Sequence, residues 1–482
     1  MVDNHPVNKD LKKVQAFREG VISENRSVAN LGVALVFLVL VLLYTAMTQT
    51  SGSTGVFVIA AAVIGGYMAM NIGANDVANN IGPAVGSKAL TMIGALVIAA
   101  VFEAAGALIA GGDVVSTIRK GIIDPTAMSD QMTFIWAMMS ALLAAALWLN
   151  LATWLGAPVS TTHSIVGGVV GAGIAAAGSA SVDWTKMSAI AASWVISPLL
   201  GGVIAALFLL FIKKMILKRE NMLAAAETWV PVLVGIMAGA FSMYLVMKGL
   251  KKLWKPDTAM LWMIGFGAFG VVWVVTKPLV RRAAAGMENR RKSVAKLFTI
   301  PLICSAALLS FAHGANDVAN AVGPLAAIVS AASHTSMGAG KIALPFWVMA
   351  IGAIGISIGL LLYGPKLIRT VGEKITKLNQ MRAFCVALSA AITVIAASWL
   401  GLPVSSTHIA VGGVFGVGFL REYINNRDSK KRRLTRSEEV KIAHRRLVRR
   451  RELLTIAAAW VITVPASGLL SALLFYTLSN VF

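Results

Sequence analysis

The sequence predicts an all-α polytopic membrane protein, with about 12–13 transmembrane helices arranged in two inverted-topology repeats. Three observations lead to this fold class. The 482 residues are 57% hydrophobic and only 13% charged, and the mean hydropathy is +0.77. Apolar runs of about 18 residues or more recur along the chain, and about 20 residues span a bilayer core as a helix. Several motifs occur twice in the same order. A soluble chain of this kind would lack a polar surface to face water.

Apolar stretches predict the helices in chain order. The polar lead of 30 residues is long for a signal peptide and has no small-residue cleavage site, so the first stretch is interpreted as an uncleaved helix. Cys304 and Cys385 lie in apolar stretches and indicate neither a disulfide framework nor a metal site. The predicted spans are residues 31–47, 55–85, 89–111, 132–155, 164–178, 187–212, 229–247, 260–280, 297–328, 343–363, 383–400, 409–419 and 453–478.

Basic residues orient these spans, because cytoplasmic loops are enriched in Lys and Arg. The best arrangement puts 34 of the 43 Lys and Arg inside, with a cytoplasmic N-terminus and an outside C-terminus. The basic stretch 248–255 is an exception, since it falls outside. Residues 421–451 look like a nucleic-acid tail only in isolation. In a membrane protein they are a cytoplasmic loop that can contact anionic lipids, so we expect no nucleic-acid partner.

Three motifs return in the second half, which indicates an internal duplication. The first copy's last span ends at the basic KKMILKR, whereas the second copy's last span begins after the basic loop, so the copies are predicted to have opposite topology. The repeated pairs are GANDVANNIGP at 73–83 with GANDVANAVGP at 314–324, LGAPVSTTHSIVGGVVGAG at 155–173 with LGLPVSSTHIAVGGVFGVG at 400–418, and SWVISPLLGGVIAALFLL at 193–210 with AWVITVPASGLLSALLFY at 459–476.

The duplication divides the chain into five parts. These are a cytoplasmic tail at 1–30, an extra N-terminal transmembrane helix at 31–48, a first inverted repeat at 55–212, a linker with two connecting helices at 213–296, and a second inverted repeat at 297–482 that includes the basic cytoplasmic loop 421–452. Inverted repeats are typical of secondary transporters, in which the substrate lies near the midplane between broken helices.

Asn and Asp side chains lie inside a predicted span in each copy. A buried ionisable group is costly in a membrane and is a functional-site hypothesis by default, although a structural polar network is the alternative. Flanking Gly and Pro residues predict an interrupted helix with free carbonyls, and carboxylate, amide and carbonyl oxygens together suit a hard cation such as Na⁺. The candidate cation-binding residues are Asn75, Asp76, Asn79, Asn316, Asp317 and Asn320, with Glu103 as a supporting acid.

The PVS phrases are PVSTTH at 158–163 and PVSSTH at 403–408, and their hydroxyl groups suit an anion. A helix is predicted to begin soon after each phrase, and helix N-termini offer unpaired N–H groups that Ser and Thr can cap. Such starts could lie in surface loops or in re-entrant hairpins that reach mid-membrane. The candidate oxyanion-binding residues are Ser160, Thr161, Thr162, Ser405, Ser406 and Thr407.

Three histidines accompany the repeated motifs. His163 and His408 end the PVS phrases, where they could donate to the anion, titrate as a proton site, or simply pack. The phrases that begin with GAND at 73–83 and 314–324 are called the GAND motifs. His313 directly precedes the second GAND motif, and Ile72 has the same position before the first. We therefore expect His313 to have only a local structural role.

The doubled GANDVAN and PVS phrases, together with the last span of each repeat at 193–210 and 459–476, resemble the inorganic phosphate transporter (PiT) family of cation-coupled phosphate permeases. The resemblance covers the chain from about residue 55 to its C-terminus. It implies symport of inorganic phosphate with Na⁺ in many members and with H⁺ in others. It implies phosphate contacts at the Ser and Thr of the PVS phrases, an acid at Glu103, and Na⁺ sites at Asn75, Asp76, Asn316 and Asp317.

The sequence thus predicts a secondary active transporter in a bacterial inner membrane that symports inorganic phosphate with Na⁺ or H⁺. A permease for sulfate or another oxyanion and an uncoupled anion channel remain open. A membrane-embedded hydrolase is disfavoured, because Asn accompanies each Asp and no G-x-S-x-G elbow occurs. We expect no enzyme activity and no cofactor, with phosphate, the cation and lipids as partners. Assembly as a homodimer is left open.

Overall fold

The structure is a computed structural model that describes residues 6–49, 54–155, 159–249, 254, 256–333, 344–374, 378–431 and 450–481. Within these residues, fifteen α-helices form the fold and the only β-type pairing is an isolated bridge between Ile123 and Val182. The helices are α1 Pro6–Thr48, α2 Gly55–Gly86, α3 Met92–Ala110, α4 Gly112–Lys120, α5 Gln131–Leu155, α6 Thr161–Ala177, α7 Trp184–Ile212, α8 Met222–Gly249, α9 Thr258–Ala284, α10 Arg291–Leu297, α11 Thr299–Ala332, α12 Phe346–Lys374, α13 Gln380–Trp399, α14 Ser406–Lys431 and α15 Arg450–Val481.

The helices confirm the all-α polytopic class. In the described ranges, eleven of them are long and apolar enough to cross a membrane, and α6 is a shorter apolar helix. Each predicted span coincides with a helix, while the short helices α4 and α10 were not predicted. Residues 251–253, 255 and 432–449, which include most of the basic stretch and most of the basic loop, lie outside the described residues.

Helices α2 and α11 form the core of the molecule. Most residues of α2 and of α11 are buried, whereas the connecting helix α9 has only two buried residues, Gly265 and Ala284, and packs mainly on α8. A helix that is hydrophobic on all sides is stable when other helices surround it. The two GAND motifs therefore lie in the interior of the protein.

Glycines allow the core helices to pack closely on a helix from the other half. A Cβ atom on Gly73 would overlap the backbone of Ile356 in α12, and one on Gly314 would overlap the backbone of Glu103 in α3. Close approach at small residues is a common way for membrane helices to associate. Reciprocal contacts join Gly359 to Met70 and Gly106 to Phe311.

The PVS helices α6 and α14 show the same exchange between halves. Gly167 and Gly171 in α6 lie against the closing helix α15, and Gly412 and Gly416 in α14 lie against α7. At these glycines α2 packs on α12, α11 on α3, α6 on α15 and α14 on α7, so each contact joins the two halves. The duplication recurs in the packing, while the opposite orientation of the two copies across a membrane and the limits of the five parts remain predictions.

The expected interruption of the helices at the GAND motifs is wrong. Both α2 and α11 continue through the motif, with Pro83 and Pro324 inside them. Pro83 lies in the last turn of α2, so the N–H that would bond to the carbonyl of Asn79 is missing only near the end of the helix. The glycines at 73 and 314 serve helix packing instead, because their neighbours leave no space for a Cβ atom.

The PVS phrases do not lie in surface loops. Ser160 and Ser405 are 1% and 2% exposed, and α6 and α14 begin at buried residues beside the core helices. This placement is compatible with re-entrant hairpins. Pro158, at the start of the first phrase, lies outside the described residues.

Candidate functional site

Asp76 joins the two PVS phrases. Its Oδ2 accepts a hydrogen bond from the Thr161 hydroxyl at 3.0 Å, and its Oδ1 accepts one from the Thr407 hydroxyl at 2.8 Å. Thr161 belongs to the first copy and Thr407 to the second. Asp76 is only 1% exposed. A single buried carboxylate therefore ties the starts of α6 and α14 together.

The amides that flank Asp76 complete this side of the site. Asn75 Nδ2 donates to Asp76 Oδ1 and to the carbonyl oxygen of Val159, both at 3.0 Å. Asn79 Nδ2 donates to the Thr407 hydroxyl oxygen at 2.8 Å and approaches Asp76 Oδ1 at 3.5 Å. Asn75 and Asn79, which are four residues apart, share one face of α2, as their spacing predicts.

The second copy arranges its residues in a related way. The Ser406 hydroxyl donates to Asp317 Oδ2 at 3.2 Å. Asn316 accepts from the Val404 backbone N–H at 3.2 Å and donates to the Leu402 carbonyl at 3.1 Å, so it holds the chain just before α14. Asn316 Nδ2 also donates to the Ser398 hydroxyl at 2.9 Å.

Asn320 crosses to the first copy. Its Nδ2 lies 3.3 Å from the Thr161 hydroxyl oxygen and 3.2 Å from that of Thr162. The Thr162 hydroxyl in turn donates to the Val404 carbonyl at 2.9 Å. Since Asn79 makes the matching contact from the first copy to Thr407, each core helix touches the PVS phrase of the other half.

His313 lies at the centre of the site, so the expectation of a merely local role is wrong. Its Nε2 is 3.0 Å from Asp317 Oδ2 and 3.7 Å from Asp76 Oδ2, and its Nδ1 is 3.1 Å from Glu103 Oε2. The side chain is fully buried. An imidazole thus links three carboxylates that would otherwise face one another in the protein interior.

Asn80 was also missed in the sequence. Its Nδ2 donates to Glu103 Oε1 at 2.8 Å, which fixes the second oxygen of that carboxylate. Both Asn80 and His313 could have been found by a simple signal. Each is a polar residue inside an apolar span where the other copy has an apolar one, Ala321 or Ile72.

The first hydroxyl of each PVS phrase caps its helix. Ser160 Oγ accepts from the His163 backbone N–H at 3.2 Å, and Ser405 Oγ accepts from the His408 backbone N–H at 3.3 Å. Such caps satisfy one of the unpaired N–H groups at a helix start. The rings of His163 and His408 lie edge to face with their centroids 4.6 Å apart, and Trp194 packs on His163.

The arrangement offers oxygen ligands in a buried, negatively charged place. Asp76, His313 and Asp317 each present a ligand atom within 4.8 Å of the others. Oδ1 of Asp317 and Oδ1 of Asn320 accept no hydrogen bond from any described residue. Carboxylate and amide oxygens of this kind are the ligands that hard cations take.

A model of the phosphate transporter family matches residues 72–471, a range that contains every side chain of the site. The chain belongs to the phosphate transporter family. This finding confirms the family expected from the doubled motifs, which consists of transporters and not enzymes.

Individual relatives agree with this assignment. A protein of Helicobacter pylori strain J99 named "Putative phosphate permease" is 46% identical, with 97% of this chain and 98% of the relative aligned. A relative of the same type from Pyrococcus abyssi is 38% identical, with 86% of this chain and 96% of the relative aligned. A solved structure titled "The sodium-dependent phosphate transporter" has a TM-score of 0.79 and 35% identity, covering 89% of this chain and 100% of that one.

The fold brings together the polar residues that the sequence proposed for this transporter-family site. All six candidate cation-binding residues lie in one connected network with Glu103 and with Thr161, Thr162, Ser406 and Thr407 of the PVS phrases. Ser160 and Ser405 lie beside this network and cap α6 and α14. His163 and His408 lie one turn into their helices, next to each other. Their roles, like those of the other residues, are taken up below as proposals.

Proposed function

We propose that this chain is a secondary active transporter that symports inorganic phosphate with a cation, with Na⁺ as the first candidate and H⁺ as the second. The observation that carries the proposal is the contact of Asp76 with hydroxyls from both PVS phrases. Cation ligands and anion ligands are then direct neighbours in one buried site. The structural neighbour whose title calls it sodium-dependent supports Na⁺.

The cation lies between the core helices in this proposal. Asp76 and Asp317 supply charge, and Asn75, Asn79, Asn316 and Asn320 supply amide oxygens. The unbonded oxygens of Asp317 and Asn320 support this assignment, because a buried acceptor without a partner is unfavourable unless a ligand satisfies it. His313 and Asn80 position the acids and are not proposed as ligands of Na⁺.

Phosphate lies at the starts of α6 and α14. Thr161, Thr162, Ser406 and Thr407 supply hydroxyl donors there, while Ser160 and Ser405 cap the helices. The remaining N–H groups of each helix start and the positive end of its dipole favour an anion. Two helix starts that belong to opposite halves would hold phosphate oxygens from two sides.

Coupling follows from the charge of the site. A phosphate charge about 4 Å from one carboxylate is opposed by about 4 kcal/mol at an effective dielectric constant near 20. Phosphate therefore binds poorly beside Asp76 and Asp317 unless cations offset these charges. A cation and phosphate stabilise each other in the site, which is the requirement for symport.

The hydroxyl groups provide a structural route for this coupling. Thr161, Ser406 and Thr407 each donate their single proton to a carboxylate. When a cation binds those carboxylate oxygens, the hydroxyl protons become available to phosphate. We therefore propose that the loaded site exchanges hydroxyl–carboxylate bonds for hydroxyl–phosphate bonds.

The test is uptake of radiolabelled phosphate into liposomes that contain the purified protein. A Na⁺ gradient and a proton gradient are imposed separately, and sulfate is added as a competitor. Uptake driven by one gradient and unaffected by sulfate supports phosphate symport and identifies the ion. Phosphate uptake that depends on neither gradient would instead indicate a channel. Flux of sulfate without flux of phosphate would show that the substrate is sulfate.

The proposed cellular setting follows the charge distribution. The chain lies in a bacterial inner membrane with its N-terminus in the cytoplasm and its C-terminus outside. Labelling of single cysteines introduced near each terminus, in intact cells and in inverted vesicles, tests this orientation. Reaction of an N-terminal cysteine from the outside would reverse the proposed topology.

A further inference from the structure

Two arginines lie together at the end of α13 and α14 that is far from the proposed transport site. Arg382 is in the first turn of α13 and Arg421 is in the second half of α14, and both are half-buried. They are close enough for the two positive charges to act on each other. Neither belongs to the network around Asp76 and Asp317.

Helix packing brings them to the same place. A Cβ on Gly413 of α14 would lie 3.4 Å from a side-chain atom of Val386 in α13. The site-facing start of α14 lies near the C-terminal end of α13, where Ser398 binds Asn316. The two helices therefore run antiparallel. Arg382 is one turn before Val386 on α13, and Arg421 is two turns after Gly413 on α14, so both arginines lie on the side of this contact that is away from the transport site.

The two guanidinium groups have no acidic partner among the described residues. Arg382 Nε donates to Asn379 Oδ1 at 2.8 Å, a neutral amide that holds the side chain without offsetting its charge. Two like charges that are partly removed from water repel each other and lose hydration. An anion between them would relieve both effects.

The location is the predicted cytoplasmic face. Arg421 is fourteen residues after Thr407 on one helix, which corresponds to about 21 Å at 1.5 Å per residue. The pair is thus too far from the proposed transport site to bind the same phosphate. It lies at the end of the two helices that frame the second PVS phrase.

We propose that Arg382 and Arg421 form a separate anion site that takes a phosphate group at the predicted cytoplasmic end of α13 and α14. Guanidinium groups match phosphate because their planar donors form paired hydrogen bonds with its oxygens. The phosphate group belongs either to free inorganic phosphate or to the headgroup of an anionic lipid. This site does not depend on the proposed coupling of cation and phosphate.

The experiment measures binding of radiolabelled inorganic phosphate to the full-length protein in nanodiscs of pure phosphatidylcholine, with choline replacing Na⁺. The wild type binds phosphate in a salt-sensitive way, and Arg382→Gln and Arg421→Gln each weaken binding at least tenfold, because one of the paired guanidinium groups is removed. Arg421→Lys keeps the charge and retains part of the binding. The control Arg281→Gln removes an exposed arginine on the same predicted face and leaves binding unchanged.

A second arm distinguishes the two sources of phosphate. The measurement is repeated in nanodiscs of equal parts phosphatidylcholine and phosphatidylglycerol, and bound phosphatidylglycerol is counted by native mass spectrometry. Loss of phosphate binding, with less lipid retained by Arg421→Gln, assigns the site to the lipid headgroup. Undiminished phosphate binding assigns it to free phosphate. If wild type and both glutamine variants bind equal phosphate and equal lipid, the anion site is refuted. Na⁺-free phosphate binding that Thr407→Val weakens and both arginine variants leave unchanged belongs to the transport site and refutes the anion site. Failure of the transport proposal is seen separately, in the liposome uptake.

Discussion

Replacement of Asp76 by Asn tests the centre of the proposed mechanism. The variant keeps the size of the side chain but removes the charge that Thr161 and Thr407 contact from opposite halves. A unit charge about 4 Å from a cation contributes about 4 kcal/mol at an effective dielectric constant near 20. Because each 1.36 kcal/mol is tenfold in an equilibrium constant, we expect the Na⁺ concentration for half-maximal uptake to rise roughly a thousandfold. In practice coupled uptake would be lost.

The assay is phosphate uptake by proteoliposomes across a range of Na⁺ concentrations, with the amount of inserted protein measured for each variant. Asp183→Asn is the matched control, since Asp183 is an exposed helix cap that pairs with Lys186 at 3.3 Å. This control should behave as wild type. If Asp76→Asn takes up phosphate with a half-saturating Na⁺ concentration within a few-fold of wild type, Asp76 is not a cation ligand and the coupling argument fails.

Three further changes test the site and its packing. Thr407→Val removes a hydroxyl proposed for phosphate and should raise the apparent KM for phosphate about tenfold, the effect of one lost charge-assisted hydrogen bond, whereas Thr407→Ser should restore it; equal KM values for the two variants would exclude that role. Gly314→Ala forces a Cβ into a helix contact and should destabilise the protein by about 1–3 kcal/mol, seen as a lower melting midpoint in detergent. Gly267→Ala, which has open space, should keep or slightly raise the midpoint because alanine favours a helix more than glycine; equal midpoints for the two variants would contradict the packing. Glu103→Ile and His313→Ile should each destabilise by about 3–5 kcal/mol and the double variant by less than their sum; additive losses would show that the two side chains do not depend on each other.

The spans and the site motifs could be predicted from the sequence because both depend on local physics. A bilayer requires long apolar helices, so every predicted span coincides with a helix. Carboxylates and amides in such helices need partners, so Asp76 and Asp317 marked the place where the halves meet. The repeated hydroxyls of Thr161 and Thr407 marked the other ligand group, although only the fold shows that both reach the same aspartate.

The errors concern long-range packing. Gly73 and Gly314 have the composition of helix breakers, but in the structure they allow contact with helices more than 200 residues away or in the other half. A sequence does not show which glycine faces a neighbouring backbone. His313 was given a local role because it has no counterpart in the first copy, yet that same lack of symmetry places it between three acids.

Asn80, Glu103 and His313 are polar residues whose equivalents in the other repeat are apolar, and their side chains form one continuous row of contacts. Asn80 donates to Glu103, Glu103 lies 3.1 Å from the His313 ring, and the far side of that ring lies 3.0 Å from Asp317. Their counterparts in the other half are the apolar residues Ala321, Ile356 and Ile72. A lone buried acid or imidazole is costly, so these residues are stable only as a set.

Because Asn80, Glu103 and His313 have no polar equivalents in the other repeat, Asp76 and Asp317 have different surroundings and are different ligands. Both oxygens of Asp76 accept hydroxyl protons from the PVS phrases. In Asp317, Oδ2 accepts from Ser406 and lies beside His313, whereas Oδ1 has no hydrogen-bond donor among the described residues. A cation at Asp317 therefore meets an oxygen that is already available. A cation at Asp76 must first displace the hydroxyls that phosphate needs. If two cations bind, we expect the Asp317 side to fill first and the Asp76 side to fill together with phosphate, so the matched halves would perform different steps of one transport cycle.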